Sequence, residues 1–83
     1  MAVELQETKV DRTIDARGSY CPGPLMELIR AIREARVGEV VEVLSSDTGS
    51  RRDIPKWCEK ARHQFLGIVD EPGFARLVVR KAR

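Results

Sequence analysis

Hydrophobic and polar positions follow two different rhythms along this chain, and each change of rhythm marks a new element. Between Lys9 and Asp15 the β-branched Val10, Thr13 and Ile14 predict a first strand, which Ala16-Arg17-Gly18-Ser19 breaks into a loop ending at Tyr20 and Cys21. Beyond Pro22-Gly23-Pro24, the residues Leu25, Leu28, Ile29 and Ile32 recur at the spacing of one helical face, with Glu27, Arg30, Arg33 and Glu34 on the other side. This predicts a helix from Pro22 or Pro24 to Ala35, with proline in the first turn, where a missing N–H breaks no intrahelical bond. Val40, Val41, Val43 and Leu44 around Glu42 predict a half-buried second strand, and Ser45 to Ser50 a loop. Asp53-Ile54-Pro55 supplies a capping residue and an early proline for a second helix whose apolar face is Ile54, Trp57, Cys58, Ala61 and Phe65, with Gly67 as its left-handed terminator. Ile68-Val69 and Leu77-Val78-Val79, joined by Glu71-Pro72-Gly73-Phe74, predict two short strands around a type II turn.

The resulting order is βαβαββ. Helices separate the early strands, so the first two strands should run parallel with a right-handed crossover, and both helices must cover the same sheet face. The expected class is α+β, a two-layer α/β sandwich. Both helix N-termini then emerge at one end of the sheet, which brings Cys21 toward the Asp47–Asp53 loop. Residues 1–8 show no sustained period and are read as a flexible tail, leaving 9–83 as a single domain.

Composition narrows the function classes. With 83 residues the chain is one small domain, and 42% hydrophobic against 34% charged residues is too apolar for disorder. A domain of this size has little capacity to enclose a deep cavity, so its chemistry belongs on the surface. Fifteen Lys and Arg against 13 Asp and Glu are interspersed and leave a net charge of +2, which does not call for nucleic acid. No apolar run reaches the ~18 residues of a membrane span, and the start lacks the basic-then-apolar order of a signal peptide. A cytoplasmic protein is therefore expected, with no membrane association.

The chemistry turns on two cysteines. Cys58 falls on the apolar helical face, where a free cysteine behaves as a small hydrophobe. Cys21 belongs to no apolar stripe and precedes a helix, whose N-terminus favours a thiolate by roughly 0.3–1 kcal/mol. Arg17, Arg51 and Arg52 are expected to add to this effect and Asp47 to oppose it. Pro22 and Pro24 supply no N–H, leaving Gly23 and Leu25 as the donors nearest the sulfur. The prolines are expected to fix how the thiol is presented, and the replacement of Pro22 or Pro24 by alanine to leave the fold largely intact. His63 reads as a surface residue about ten positions into the second helix, remote from Cys21, so no Cys-His nucleophile-base pair is expected. Trp57 and Phe65 read as core. No C-x-x-C pair, zinc-type cluster, G-x-G-x-x-G or Walker loop is present, so neither metal nor cofactor is expected.

The string Ile14-Asp15-Ala16-Arg17-Gly18-Ser19-Tyr20-Cys21-Pro22-Gly23-Pro24-Leu25 resembles the signature of the TusA/SirA-like sulfur-carrier family, in which a Leu-Asp-x-x-Gly-like lead-in precedes Cys-Pro-x-Pro at a helix start. Ser46-Asp47-Thr48-Gly49-Ser50, Asp53-Ile54-Pro55-Lys56-Trp57-Cys58 and Gly67 are similar to the family's strand–loop–helix segment, so the resemblance spans about Val10 to Lys81. It implies a mixed four-stranded sheet of order 1-2-4-3. It also implies that Cys21 accepts sulfane sulfur as a persulfide from a donor protein, a cysteine desulfurase or rhodanese-like protein, and hands it to a cysteine-bearing acceptor such as a DsrE-like protein. Family destinations include tRNA thiolation, molybdenum-cofactor assembly and sulfur oxidation. Ser19-Tyr20 departs from the Leu-x often found before the cysteine, and Gly23 fills a variable slot.

Arg17, Tyr20, Met26 and Arg30, with Arg51 and Arg52, are the candidate docking surface; an ordinary solvated rim is the alternative reading of the same residues. Two other functions fit the predicted fold. One is an RNA-binding module like the C-terminal domain of a bacterial translation initiation factor, and the other is a regulatory adaptor without sulfur chemistry.

Overall fold

The computed structural model describes residues 9–20 and 22–83. The expected tail, residues 1–8, and Cys21 lie outside the described residues. The elements are β1 (Arg12–Asp15), α1 (Gly23–Glu34), β2 (Val40–Ser45), α2 (Ser50–Ala61), β3 (Gln64–Glu71) and β4 (Phe74–Arg80). They build one four-stranded sheet of order β1-β2-β4-β3, parallel between β1 and β2 and antiparallel elsewhere.

Both helices cover the same face. Leu28 and Ile32 from α1 and Ile54 and Cys58 from α2 join Val41, Val43, Ala75, Leu77 and Val79 in one buried cluster. Fully burying each large aliphatic side chain is worth roughly 1.5–3 kcal/mol, and this cluster is the main source of stability. Most of the α1 stripe lies where its spacing places it, with Leu28 and Ile32 buried and Leu25 packed at the margin, but Ile29 falls outside the core cluster, and Ala31 packs against it instead.

The structure redraws the second strand. Rather than being half-buried, β2 is central and covered on both faces, with Val40, Val41, Glu42, Val43 and Ser45 all buried. On the face away from the helices, Glu42 accepts bonds from Thr13 Oγ1 and Arg76 Nε, each at 2.8 Å, and Arg76 also lies 3.6 Å from Glu71. Two neighbouring strands thus satisfy the buried carboxylate, and their side chains shield the strand without a second helical layer.

The second helix is also shifted from its expected frame. It begins at Ser50 rather than Asp53 and ends at Ala61, before Phe65. Arg62, at φ +64°, takes the left-handed terminating position assigned from sequence to Gly67, and the His63 N–H closes the end on the Cys58 carbonyl at 2.9 Å. Phe65 packs against the core from β3 instead. Gly67 lies at the β3 bulge with φ +149°, and β3 spans eight residues where Ile68-Val69 suggested a short strand. In the Pro72-Gly73 turn, Gly73 at φ +84° matches the type II requirement at that position.

His63 is not an ordinary surface residue. It follows α2, its ring lies 5.4 Å from Trp57, and its Nδ1 accepts the Ala82 N–H at 3.1 Å. Burial, followed by the charges of Lys81 and Arg83, holds its pKa below the usual value. The group sits beside Arg80, which pairs with Val40 at the start of β2, and thus at the opposite end of the sheet from the loops after β1 and β2.

Candidate functional site

Parallel pairing of β1 with β2 sends both following loops out of the same sheet end. The pairing continues past β1 through the Ala16 N–H to the Leu44 carbonyl, at 2.9 Å. Gly18, at φ +87°, then turns the chain and donates its N–H to Ser46 Oγ at 3.0 Å, joining the two loops directly. Ser45 and Ser50 share a buried hydroxyl bond of 3.0 Å, and Ser45 Oγ also accepts the Asp47 N–H, which sets the start of α2.

The motif lies between anchored residues. Ser19 bonds back to the Ala16 carbonyl, and the Tyr20 carbonyl accepts the Gly23 N–H at 2.7 Å. That N–H, expected to face the sulfur, is engaged by backbone. Pro22 occupies the N-cap and accepts the Met26 N–H at 2.8 Å, so Cys21 is the residue before the cap in sequence. A Cβ on Gly23 would lie 3.3 Å from Ser19 Cβ, a tight approach that favours glycine between the two prolines. Pro22 is exposed, whereas Pro24 is fully buried against the core, so Pro24 is a packing residue as well as a helix-start residue.

The candidate docking residues divide into two sets. Tyr20 and Met26 are 78% and 60% exposed, the latter beside Glu27, Ile29, Arg30 and Arg33 along a shallow groove on the outer face of α1. Arg17 forks onto Asp15, lies 4.9 Å from the centre of the Phe74 ring, and with its side chain and N–H holds the Asp15 carboxyl at about 2. Arg51 pairs with Asp70, and Arg52 lies 3.4 Å from Asp53. The three arginines expected to favour a nearby thiolate are therefore each matched by a carboxylate, which weakens their effect beyond the pair.

Cys58 is 1% exposed, and burial pushes its thiol up to about 11. Cys58→Ser would bury a hydroxyl in an apolar cluster and is expected to lower stability by about 1–3 kcal/mol, with Cys58→Ala affected less. Urea unfolding of both variants measures the difference, and equal stability would contradict the apolar role.

The family model for sulfurtransferase TusA matches residues 12–81. An Archaeoglobus fulgidus protein described at the level of a sulfur carrier is 54% identical over 70 residues, covering 84% of this chain and 96% of its own. The sulfur carrier protein TusA of Pseudomonas entomophila is 42% identical, over 86% of this chain and 89% of its own. The crystal structure of a SirA-like protein from Desulfitobacterium hafniense superposes with a TM-score of 0.76 at 28% identity, covering 87% of this chain and 99% of that one. With nearly the whole domain matched in sequence and in fold, the chain belongs to the TusA sulfurtransferase family.

Proposed function

We propose that this protein is a sulfur carrier that holds sulfane sulfur as a persulfide on Cys21 and relays it between partner proteins. Family membership supports the relay role. The burial of Cys58 carries the residue assignment, because the chain has two cysteines and one of them is enclosed in the core. In the accepting step the Cys21 thiolate attacks the terminal sulfur of a donor persulfide. A new S–S bond forms on Cys21, the donor's S–S bond breaks, and the donor leaves as a thiolate that takes up the proton lost by Cys21. An acceptor thiolate then repeats the exchange on the Cys21 persulfide, with no net oxidation in either step.

The donor class that fits is a cysteine desulfurase or rhodanese-like protein, and the acceptor class a cysteine-bearing protein of DsrE-like type, both meeting the carrier in the cytoplasm. Tyr20, Met26 and Arg30 are the exposed docking candidates beside the motif. In this reading Arg17, Arg51 and Arg52 shape the loops through their carboxylate partners.

The test is to load the protein from a persulfide donor, weigh it intact, and follow passage of the sulfur to an acceptor thiol. A one-sulfur gain that a thiol reductant reverses is expected, and failure to load would reject the proposal. In the same assay Pro22→Ala should stay folded and transfer more slowly, on the order of tenfold, because a freed backbone misaims the sulfur. Pro24→Ala should also lose stability, since its buried ring is removed. An unchanged Pro22→Ala rate would take that proline out of the mechanism.

A further inference from the structure

The two helices leave a groove between them that the relay chemistry does not use. Leu25 from the first turn of α1 and Trp57 from α2 form its apolar part, Asp53, Lys56 and Lys60 its polar rim, and its volume is about 270 Å³. Leu25 and Trp57 are half-buried and pack against the core cluster, so the apolar surface is backed by fixed structure. The volume falls below the ~300–1,000 Å³ of ordinary small-molecule pockets and suits one or two side chains of a docking segment.

The charge on the rim selects the occupant. Lys56 and Lys60 are exposed, stand one helical turn apart, and form no ion pair among the described residues. By contrast Arg17, Arg51, Arg52 and Arg76 are all engaged by carboxylates. Asp53, the one carboxylate lining the groove, lies 3.4 Å from Arg52 and is partly neutralised, while Glu59 does not line it. Two unmatched ammonium groups thus border an apolar floor. That floor begins at Leu25, four residues beyond Cys21 in sequence.

Building on the relay reading, we infer that this groove seats an acidic segment of a partner protein, with one large apolar side chain on Leu25 and Trp57 and flanking carboxylates on Lys56 and Lys60. Such a segment would register the partner beside the motif, with the apolar contact supplying affinity and the lysines orientation and encounter rate.

Trp57 is the only tryptophan in the chain and lies in the groove, so its emission reports occupancy directly. The probe is the acetylated, amidated peptide Glu-Asp-Phe-Leu-Glu-Glu, titrated into the full chain with no sulfur donor present. A saturable shift of Trp57 emission is expected. Binding should weaken at least tenfold in the Lys56→Glu, Lys60→Glu double variant, about threefold with glutamine at both sites, and strongly when the peptide's Phe-Leu becomes Ser-Ser. Circular dichroism establishes that the exposed substitutions leave the fold intact.

The inference is overturned by the absence of a saturable shift up to about 2 mM peptide. It is equally overturned by unweakened binding to the double glutamate variant, by equal binding of a peptide with lysine for each acidic residue, or by indifference to loss of Phe-Leu. Because binding is read without sulfur, its failure is distinct from a failure of Cys21 to load.

Discussion

Cys21→Ser is expected to abolish persulfide formation, lowering the rate of sulfur loading by at least about 100-fold, while Cys58→Ala loads as the wild type does. The magnitude follows from thiolate availability. An unperturbed cysteine is ~3% thiolate at neutral pH, whereas a thiol pushed up to about 11 is ionised in only ~0.01% of molecules, a deficit of about 300-fold. Cys58 is also sterically enclosed at 1% exposure, so it cannot substitute when Cys21 is lost. Intact mass after incubation with polysulfide, with and without a reductant, measures the effect. Retention of the one-sulfur adduct in Cys21→Ser would overturn the assignment, because the buried thiol would then have to open and react on the loading timescale.

Local signals made most of this architecture legible. The spacing of Leu25, Leu28 and Ile32 places α1 because these three residues meet the core, whereas Ile29, at the edge of the same stripe, lines the outer groove with Met26 and Arg30. The second helix was harder to read, since Phe65 continues the i, i+4 spacing from Ala61 although the chain turns at Arg62. Phe65 does reach the same core, but from β3, which packs beneath the helix. A hydrophobic period records which side is buried, and here two elements share that side. Pro55 misled in a similar way. It sits inside α2, two residues beyond Asp53, where early-proline reasoning placed a helix start.

The site was legible in its motif and less so in its charges. Cys21-Pro22-Gly23-Pro24 stands out locally, but the fate of the nearby arginines depends on residues distant in the chain. Arg51 finds Asp70, 19 residues away, and Arg17 finds Phe74 through the β3–β4 hairpin. Asp15, two residues before Arg17, and Asp53, next to Arg52, are the local pairings available to the sequence. Non-local pairing of this kind also explains why Lys56 and Lys60 gain significance only in the fold: Arg51 and Arg52, which precede them on α2, are matched by carboxylates, and the two lysines are in no ion pair among the described residues.

Leu28→Ala should produce the largest loss of stability, about 3–4 kcal/mol. Leu28 is fully buried where α1 lies on the sheet, and truncating it removes transfer energy and leaves a cavity that the close-packed neighbours fill only in part. At roughly 0.05–0.15 kcal/mol per residue a chain of 83 residues has a total stability of about 4–12 kcal/mol, so this one substitution takes between a quarter and nearly all of it. Urea unfolding should show the midpoint falling by about 3 M, for a slope near 1 kcal/mol/M. Met26→Ala, two residues away in sequence but 60% exposed, should stay within about 0.5 kcal/mol of the wild type. A Leu28→Ala loss below about 1 kcal/mol would mean that α1 is not anchored through this contact. Sulfur loading, counted per folded molecule, should change little in Leu28→Ala under the proposed role of Cys21, because the bonds flanking that position in sequence, Gly18 to Ser46 and Gly23 to Tyr20, do not involve Leu28.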